Sequence, residues 1–160
     1  MIESIAKPKP VHLRAQPRMP VDEYYIRMAY LASSRATCAR RKVGCVLVDE
    51  KNRVLSIGYN GVAPGLPHCT TDPCAGATAE SGEDLHLCEA THAEISAILA
   101  LSDPRLLNKM YVTISPCINC VRLLLATSCQ EIIYCEDYPH KEAQELWLRE
   151  GRLIRKHCHD

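Results

Sequence analysis

The sequence has no phenylalanine, no net charge and no long apolar run, and each absence narrows what the protein can be. Seven tyrosines and one tryptophan supply the aromatic side chains of an otherwise ordinary globular composition. Nineteen Lys and Arg balance nineteen Asp and Glu, so there is no broad basic field of the kind that tracks a phosphate backbone. A nucleic-acid polymer is therefore disfavoured as a partner, although a local patch can still bind one phosphate.

The longest apolar stretches are too short to cross a bilayer, and residues 1–5 lack the apolar region of a signal peptide. These observations predict a soluble, cytoplasmic protein without a membrane partner. A chain of 160 residues is most simply one domain, which buries roughly 70% of the surface of its unfolded state.

Prolines and basic residues crowd the first nineteen positions, which predicts a flexible arm over residues 1–19 followed by one domain over residues 20–160. Disorder is the favoured interpretation of this arm. An arm that packs on a neighbouring subunit is the alternative.

Hydrophobic spacing predicts helices and strands in alternation. The first two strands flank a turn and form a β-hairpin, and their continuous hydrophobicity predicts burial on both faces. The pattern predicts an α/β fold, a three-layer α-β-α sandwich around a central mixed sheet of about five strands. Helices are predicted over 20–35, 91–103, 116–127 and 141–150, and strands over 43–48, 54–59, 110–114, 131–135 and 152–155.

Between the hairpin and the second helix, residues 61–90 form a long segment rich in Gly, Cys and His. Unstructured connections of this length are usually functional, or are held in place by some other interaction.

Ten cysteines raise the question of disulfides, but in an intracellular α/β chain metal ligation is the better interpretation. Ser115 is a good N-cap and Pro116 suits the first helical position, which places Cys117 and Cys120 on one face of the first turn. The helix N-terminus lowers the pKa of both thiols and favours ligation. Two small buried cysteines near a cap are the alternative.

The stretch Thr91-His92-Ala93-Glu94 also has two interpretations. Thr91 and Glu94 match a capping box, in which the carboxylate only satisfies the backbone. Yet His92 precedes Cys117 by enough residues for a helix, a connection and a strand, which brings both helix starts to one sheet edge. The pair predicts a catalytic zinc held by His92, Cys117 and Cys120, with Glu94 as the proton shuttle for a zinc-bound water.

H-x-E followed by P-C-x-x-C is the pattern of zinc nucleobase deaminases. Four segments carry a wider likeness: Cys38-x-Arg40-x-x-Val43-Gly44, Gly58-Tyr59-Asn60-Gly61, His92-Ala93-Glu94 and Ser115-Pro116-Cys117-x-x-Cys120. Through them the chain resembles the cytidine-deaminase superfamily, and within it the deoxycytidylate (dCMP) deaminases of bacterial and phage type, over roughly residues 21–155. Ser96 departs from the Asn common at that position, and the central loop is shorter than in some members.

The resemblance implies hydrolysis of dCMP to dUMP and ammonia, one step before thymidylate. Glu94 would take the proton of the zinc-bound water, pass it to ring N3 and help protonate the leaving ammonia. Asn60 would hold the sugar, Arg40 or Tyr138 the 5′-phosphate, and Ser115 is a further expected substrate contact. Arg40 and Arg41 are almost as readily interpreted as a solvated charge cluster.

The resemblance also implies a second, structural zinc that would pin the long loop. Free loop cysteines are the alternative. The expected ligands are Cys38, Cys69, Cys74 and Cys88, with His68 and His86 as alternates.

Members of this family are often hexamers, activated by dCTP with Mg²⁺ and inhibited by dTTP. The loop from Asn60 to Pro67, with Asn60, Gly61 and Gly65, is where such an effector is expected to bind.

Other functions remain open at this point. Free cytidine deaminases typically have Cys where His92 stands, and tRNA adenosine deaminases would require a basic surface that this chain lacks. A non-catalytic, zinc-stabilised DNA-uptake accessory module is a third alternative. Glu94 argues against it, because a structural site has no use for a proton shuttle.

Overall fold

Helices and strands alternate along the chain, and the strands form a five-stranded sheet. The structure, a computed structural model, describes residues 17–80 and 82–157. The helices are α1 (Val21–Ser33), α2 (Ala93–Leu99), α3 (Ile118–Leu125) and α4 (Glu142–Arg149). The strands are β1 (Gly44–Val48), β2 (Val54–Tyr59), β3 (Lys109–Ile114), β4 (Glu131–Glu136) and β5 (Leu153–Lys156).

The sheet has the strand order β2-β1-β3-β4-β5. β1 is antiparallel to both of its neighbours, with Gly44 opposite Tyr59 and Cys45 opposite Val112. β3, β4 and β5 run parallel to one another. The prediction of a mixed sheet of about five strands is confirmed.

Helices cover both faces of the sheet, which confirms the three-layer sandwich. On one face, α1 packs alone against β1, β3 and β4 through Tyr25, Ile26 and Ala29. On the other face, α2, α3 and α4 enclose a larger core that includes the fully buried Trp147. Alternate residues of each inner strand point into the two cores, as a pleated strand requires.

The two strands of the hairpin differ in burial, which corrects one prediction. All five residues of β1 are buried, as its continuous hydrophobicity predicts. β2 instead alternates, with Val54, Ile57 and Tyr59 exposed. The reason is that β2 lies at the edge of the sheet, where α2 packs closely on one face and α1 covers the other face only in part.

Two glycines allow helices to approach the hairpin closely. A Cβ on Gly44 would lie 1.8 Å from the carbonyl oxygen of Ala29 in α1. A Cβ on Gly58 would lie 2.3 Å from the carbonyl oxygen of Ala93, at the start of α2. Gly58 therefore sets the position of the helix that follows His92.

The helix ends differ from their predicted positions by a few residues. α2 ends at Leu99 rather than near residue 103, and a 3₁₀ turn over Pro104–Leu106 follows it. Of the predicted arm, residues 1–16 lie outside the described residues, and residues 17–19 are exposed and outside any helix or strand. In the part of the chain that the structure describes, no helix has both the length and the apolar character needed to span a membrane.

Candidate active site

The predicted metal ligands lie at the N-termini of α2 and α3. The residues at the N-cap positions of these two helices are not the predicted ones. His92 is the N-cap of α2 and Cys117 is the N-cap of α3, and neither helix has a side-chain cap hydrogen bond. Thr91 pairs with Gly61 through its backbone, and Ser115 Oγ accepts a hydrogen bond from the N–H of Tyr138 at 2.8 Å. The capping interpretations of Thr91 and Ser115 are therefore wrong, and Glu94 is not used as a cap.

The three predicted ligands of the catalytic zinc converge. His92 Nδ1 lies 3.5 Å from Cys117 Sγ and 3.4 Å from Cys120 Sγ, and the two sulfurs are 3.6 Å apart. Zinc bonds of about 2.3 Å to sulfur and about 2.0–2.1 Å to nitrogen separate tetrahedral ligands by about 3.8 Å (S to S) and about 3.5 Å (S to N). These side chains therefore already have the spacing that a zinc ion requires.

Hydrogen bonding within the triad sets the protonation of its members. A hydrogen bond with Cys120, followed by one with His92, lowers the pKa of Cys117 to about 4, although burial opposes the change. The hydrogen bond with Cys117 also raises the pKa of His92 above its ordinary value. Cys117 is thus held as a thiolate, the form that binds a metal.

Glu94 is buried beside this triad, with 4% of its surface exposed. Its burial raises the pKa of its carboxyl group, and a hydrogen bond from its own backbone N–H and the charge of His92 only partly offset the rise. A raised pKa makes a carboxyl group a better proton acceptor when ionised and keeps it able to return the proton, as general acid–base catalysis requires.

A cavity of about 240 Å³ opens beside the triad. Its walls include the N-terminus of α2, the segment before β1 and the segments that follow β3 and β4. Its lining includes Cys38, Arg40, Arg41, Val43, Asn60, Ala79, Glu80, Gly82, Cys88, Ala90, His92, Ala93, Glu94, Ile114, Ser115, Cys117 and Tyr138.

The residues predicted to contact the substrate all line this cavity. Some of their polar atoms already make hydrogen bonds within the protein. Asn60 Oδ1 accepts from the N–H of Val43 and its Nδ2 donates to the carbonyl of Arg41, each at 2.8 Å. The Oγ of Ser115 is bonded to the backbone of Tyr138. The substrate roles of Asn60, Ser115 and Tyr138 stay predictions.

Arg40 and Arg41 lie in different surroundings. Arg40 Nη2 donates to the carbonyl of Glu80 and, at 2.8 Å, to that of Glu83. Arg41 Nη1 is buried and has no hydrogen-bond partner. The buried nitrogen of Arg41 does not fit a solvated charge cluster, whereas for Arg40 this interpretation and a substrate role both stay predictions. Sequence reasoning assigned no role to Arg41, because adjacent arginines give no signal of which one turns inward.

The four cysteines of the predicted second zinc site lie in one region without forming an equally tight group. Cys69 and Cys74 have their sulfurs 3.6 Å apart. Burial raises the pKa of Cys88, and the charges of Cys38 and Cys74 raise it further. Among the described residues, His92, Cys117 and Cys120 form the one group of three ligand atoms within 4.8 Å of each other. The alternates His68 and His86 are exposed.

The predicted effector loop begins inside the protein and then becomes exposed. Gly61 exchanges backbone hydrogen bonds with Thr91 at 3.1 and 2.8 Å. Gly65 is exposed, has φ +92° and has open space around it. Effector binding at Asn60, Gly61 and Gly65 stays a prediction.

Comparison with known proteins identifies the family. The family model of the cytidine and deoxycytidylate deaminase zinc-binding region matches residues 19–136, a stretch that contains the three ligands and Glu94. The chain belongs to the cytidine and deoxycytidylate deaminase family. Zinc binding by this family agrees with the geometry of His92, Cys117 and Cys120. Tyr138 lies just beyond the matched region.

Individual relatives in this family differ in length. The chain is 34% identical over 119 residues to deoxycytidylate deaminase of Saccharomyces cerevisiae, which covers 73% of this chain and 38% of the yeast protein. It is 34% identical over 141 residues to ComE operon protein 2 of Bacillus subtilis, which covers 86% of this chain and 71% of that protein. The chain thus spans well under half the length of the yeast relative.

The fold resembles that of the dCMP deaminase from the cyanophage S-TIM5, whose crystal structure was determined in complex with dCMP and dUMP. The TM-score is 0.71 at 22% identity, and the match covers 90% of this chain and 100% of the cyanophage chain. This likeness confirms the cytidine-deaminase-like fold.

Proposed function

We propose that the protein catalyses the hydrolytic deamination of dCMP to dUMP and ammonia, supplying dUMP for dTTP synthesis, and that residues 20–160 form the catalytic domain. The convergence of His92, Cys117 and Cys120 with a buried Glu94 on one cavity carries the proposal. The yeast deoxycytidylate deaminase and the cyanophage enzyme bound to dCMP and dUMP support this choice of substrate.

When bound, zinc lowers the pKa of a coordinated water to about 7. His92, Cys117 and Cys120 would hold it through the ring nitrogen and the two sulfurs that already face one another. Glu94 accepts a proton from the attacking water, passes it to N3 of the cytosine and then assists protonation of the departing ammonia. Burial at the end of the cavity keeps bulk water from competing for these transfers.

Replacing Glu94 with Gln tests the mechanism. The amide keeps the shape of the side chain but cannot accept and return a proton, so we expect kcat for dCMP to fall by about 10³-fold or more. Zinc content, measured by atomic absorption, stays at the wild-type level because Glu94 is not a ligand. Glu50→Gln makes the same charge change at an exposed position and keeps full activity. Normal turnover by Glu94→Gln would remove Glu94 from the mechanism.

The substrate is tested by measuring ammonia release from dCMP, deoxycytidine and a tRNA anticodon stem with the same zinc-loaded preparation. We expect dCMP to be the preferred substrate by kcat/KM. The likeness to ComE operon protein 2 keeps an accessory role in DNA uptake as a second candidate. Absence of ammonia release from all three substrates would favour that candidate.

A second, structural zinc is also proposed, bound by Cys38, Cys69, Cys74 and Cys88. The 3.6 Å separation between Cys69 and Cys74 supports it, because this is close to the distance between two thiolates on one zinc. We expect two zinc ions per wild-type chain and one in a Cys69→Ser, Cys74→Ser variant that retains its catalytic zinc. One zinc per wild-type chain would contradict the proposal.

The family resemblance further leads us to propose a cytoplasmic hexamer, activated by dCTP with Mg²⁺ and inhibited by dTTP at the loop from Asn60 to Pro67. Light scattering of the purified protein measures the assembly, and initial rates with each nucleotide measure the regulation. A monomer with unaltered rates would contradict both proposals.

A further inference from the structure

The strand β2 forms an edge of the sheet and contains no charged residue. In the described part of the chain it pairs with β1 alone, so one side of its backbone has no strand partner. At the opposite edge, β5 carries the exposed Arg155 and Lys156. Charged side chains protect an edge strand from further pairing, whereas an uncharged edge favours it. β2 is therefore the edge that an additional strand can join.

The ladder with β1 shows which backbone groups of β2 face outward. The N–H of Asn60 donates to the carbonyl oxygen of Val43 at 3.2 Å, and the register from Tyr59 back to Ser56 is regular. In an antiparallel ladder, positions that bond to the partner alternate with positions that point away from it. The N–H and C=O groups of Ile57 and Tyr59 therefore point away from β1.

The side chains of the same two residues form an exposed apolar surface. Ile57 stands opposite Val46, and Tyr59 stands opposite Gly44. Directly opposed residues share a face of the sheet, and Val46 packs in the core under α1. Ile57 and Tyr59 nevertheless have 45% and 38% of their surfaces exposed, because α1 does not extend fully over β2.

α1 continues this surface. Val21, Tyr24 and Leu31 are exposed and lie on one side of the helix, at spacings of three and seven residues. The ring of Tyr24 packs against that of Tyr25 with centroids 5.0 Å apart. The hydroxyl of Tyr25 donates to the carbonyl of Asn52 in the turn between β1 and β2, so this side of α1 faces the hairpin.

The sequence ahead of the described residues contains a strand pattern of matching length. Apolar and polar residues alternate with a period of two, as in a strand with one buried face. Six residues show the alternation, the same number as in β2, and a proline bounds them at each end. The stretch reads Pro10-Val11-His12-Leu13-Arg14-Ala15-Gln16-Pro17.

The described chain begins near the start of β2. Burial raises the pKa of Tyr25, and the positive charge of Arg18 opposes the rise, so Arg18 lies near the ring that reaches Asn52. Residues 17–20 can span about 13 Å, which exceeds two strand spacings of about 4.8 Å. Followed backwards from residue 16, the arm passes from the start of β2 towards its end. It therefore runs antiparallel to β2.

We propose that residues 11–16 pair with β2 of the same chain as an antiparallel sixth strand. Val11, Leu13 and Ala15 then cover the exposed apolar surface of β2 and α1, and the backbone of the arm bonds to Ile57 and Tyr59. The inference goes beyond the proposed deamination and does not depend on it. For residues 11–16 it replaces the disorder that the proline and basic content favours.

The test is amide hydrogen exchange of the full chain, measured by NMR. We expect the amides of Ile57 and Tyr59 to exchange at least about tenfold more slowly than amides of an unpaired edge. The double variant Val11→Asn, Leu13→Asn removes most of this protection. The matched control His12→Asn, Arg14→Asn makes the same replacements on the other face of the arm and keeps it. The amide of Gly58 faces β1 and stays protected in every variant, which shows that the sheet is intact.

Three results would overturn the proposal, and none requires turnover. Unprotected amides of Ile57 and Tyr59 in wild type would show that the edge is open. Protection that survives Val11→Asn, Leu13→Asn would assign the edge to another partner, such as β2 of a second copy. Protection that falls on dilution would show that the arm comes from a neighbouring copy rather than from the same chain.

Discussion

At the scale of single residues, Asn60 shows how one amide fixes two parts of the cavity wall. It is buried, and it joins the N–H of Val43 to the carbonyl of Arg41. An amide suits this position because it carries a donor and an acceptor side by side, and few other side chains do. Asn60 therefore holds the backbone of the segment from which Arg41 enters the cavity.

Asn60→Ala removes the partners of two partly buried backbone groups, and we expect it to lower the free energy of unfolding by about 2–4 kcal/mol. Asn60→Asp keeps the acceptor for Val43 but sets a second oxygen against the carbonyl of Arg41, so it is also destabilising at neutral pH. Urea unfolding measures both, independently of any contact of Asn60 with the sugar. Gln130→Ala, at an exposed position, changes stability by less than about 0.5 kcal/mol. An Asn60→Ala protein as stable as this control would contradict the role.

At the scale of elements, the fit between β2 and α2 decides where His92 and Glu94 lie. Gly58 allows the start of α2 to approach β2 so closely that even a methyl group would meet Ala93. The zinc ligands come from two separate helix starts. Small displacements of α2 therefore change the distance from His92 to both sulfurs.

Gly58→Ala tests this dependence. Its Cβ would lie 2.3 Å from the carbonyl of Ala93, so α2 must move away from the sheet, and we expect a loss of about 1–3 kcal/mol in stability. Zinc affinity, measured by chelator competition, falls with it. The control is Gly65→Ala, which has open space around it and suffers only from its positive φ. Unchanged zinc affinity in Gly58→Ala would show that α2 can shift without moving its ligand.

At the scale of the whole molecule, a network of charges joins the first helix to the last strand. Asp22 in α1 accepts from Arg155 at 2.7 Å and from the hydroxyl of Tyr111 at 2.8 Å. Arg155 also binds Glu131, which pairs with Lys109. Partial burial opposes ionisation of Asp22, but the hydrogen bonds from Arg155 and Tyr111 outweigh it and lower the pKa of this carboxyl group.

A folded-state pKa below the unfolded one stabilises the fold at pH values above the unfolded pKa, and this contribution is lost as pH falls through the folded value. We therefore expect Asp22→Asn to be less stable than wild type by about 1 kcal/mol at pH 7, with the difference shrinking as pH falls through the folded-state pKa of Asp22, which lies below its ordinary value of 3.8. Urea unfolding from pH 7 to pH 2.5 measures it. The control is Asp72→Asn, the same change at an exposed position. A difference independent of pH would exclude the linkage.

Residue patterns close together in sequence were sufficient to predict the strands, the helices and the zinc triad. The spacing of Cys117 and Cys120 holds because it depends on local helix geometry, and their approach to His92 was predicted from two helix starts at one edge of the sheet. The edge position of β2 could not be predicted, because it depends on which strands pair. The different directions of Arg40 and Arg41 could not be predicted either, because Arg40 turns to the carbonyls of residues about forty positions away in the sequence.

The backbone bridge between Gly61 and Thr91 closes the base of the long loop. Because the two ends of residues 62–90 are fixed side by side, we expect a change in the loop to leave β2 and α2 in place, while it alters the part of the cavity wall that includes Glu80 and Cys88. We therefore expect that the loop can be replaced, in evolution or by design, to change which molecule enters the cavity. The predicted zinc ligands would keep their positions. We expect a grafted loop that begins after Gly61 and ends before Thr91 to leave the three predicted zinc ligands in place.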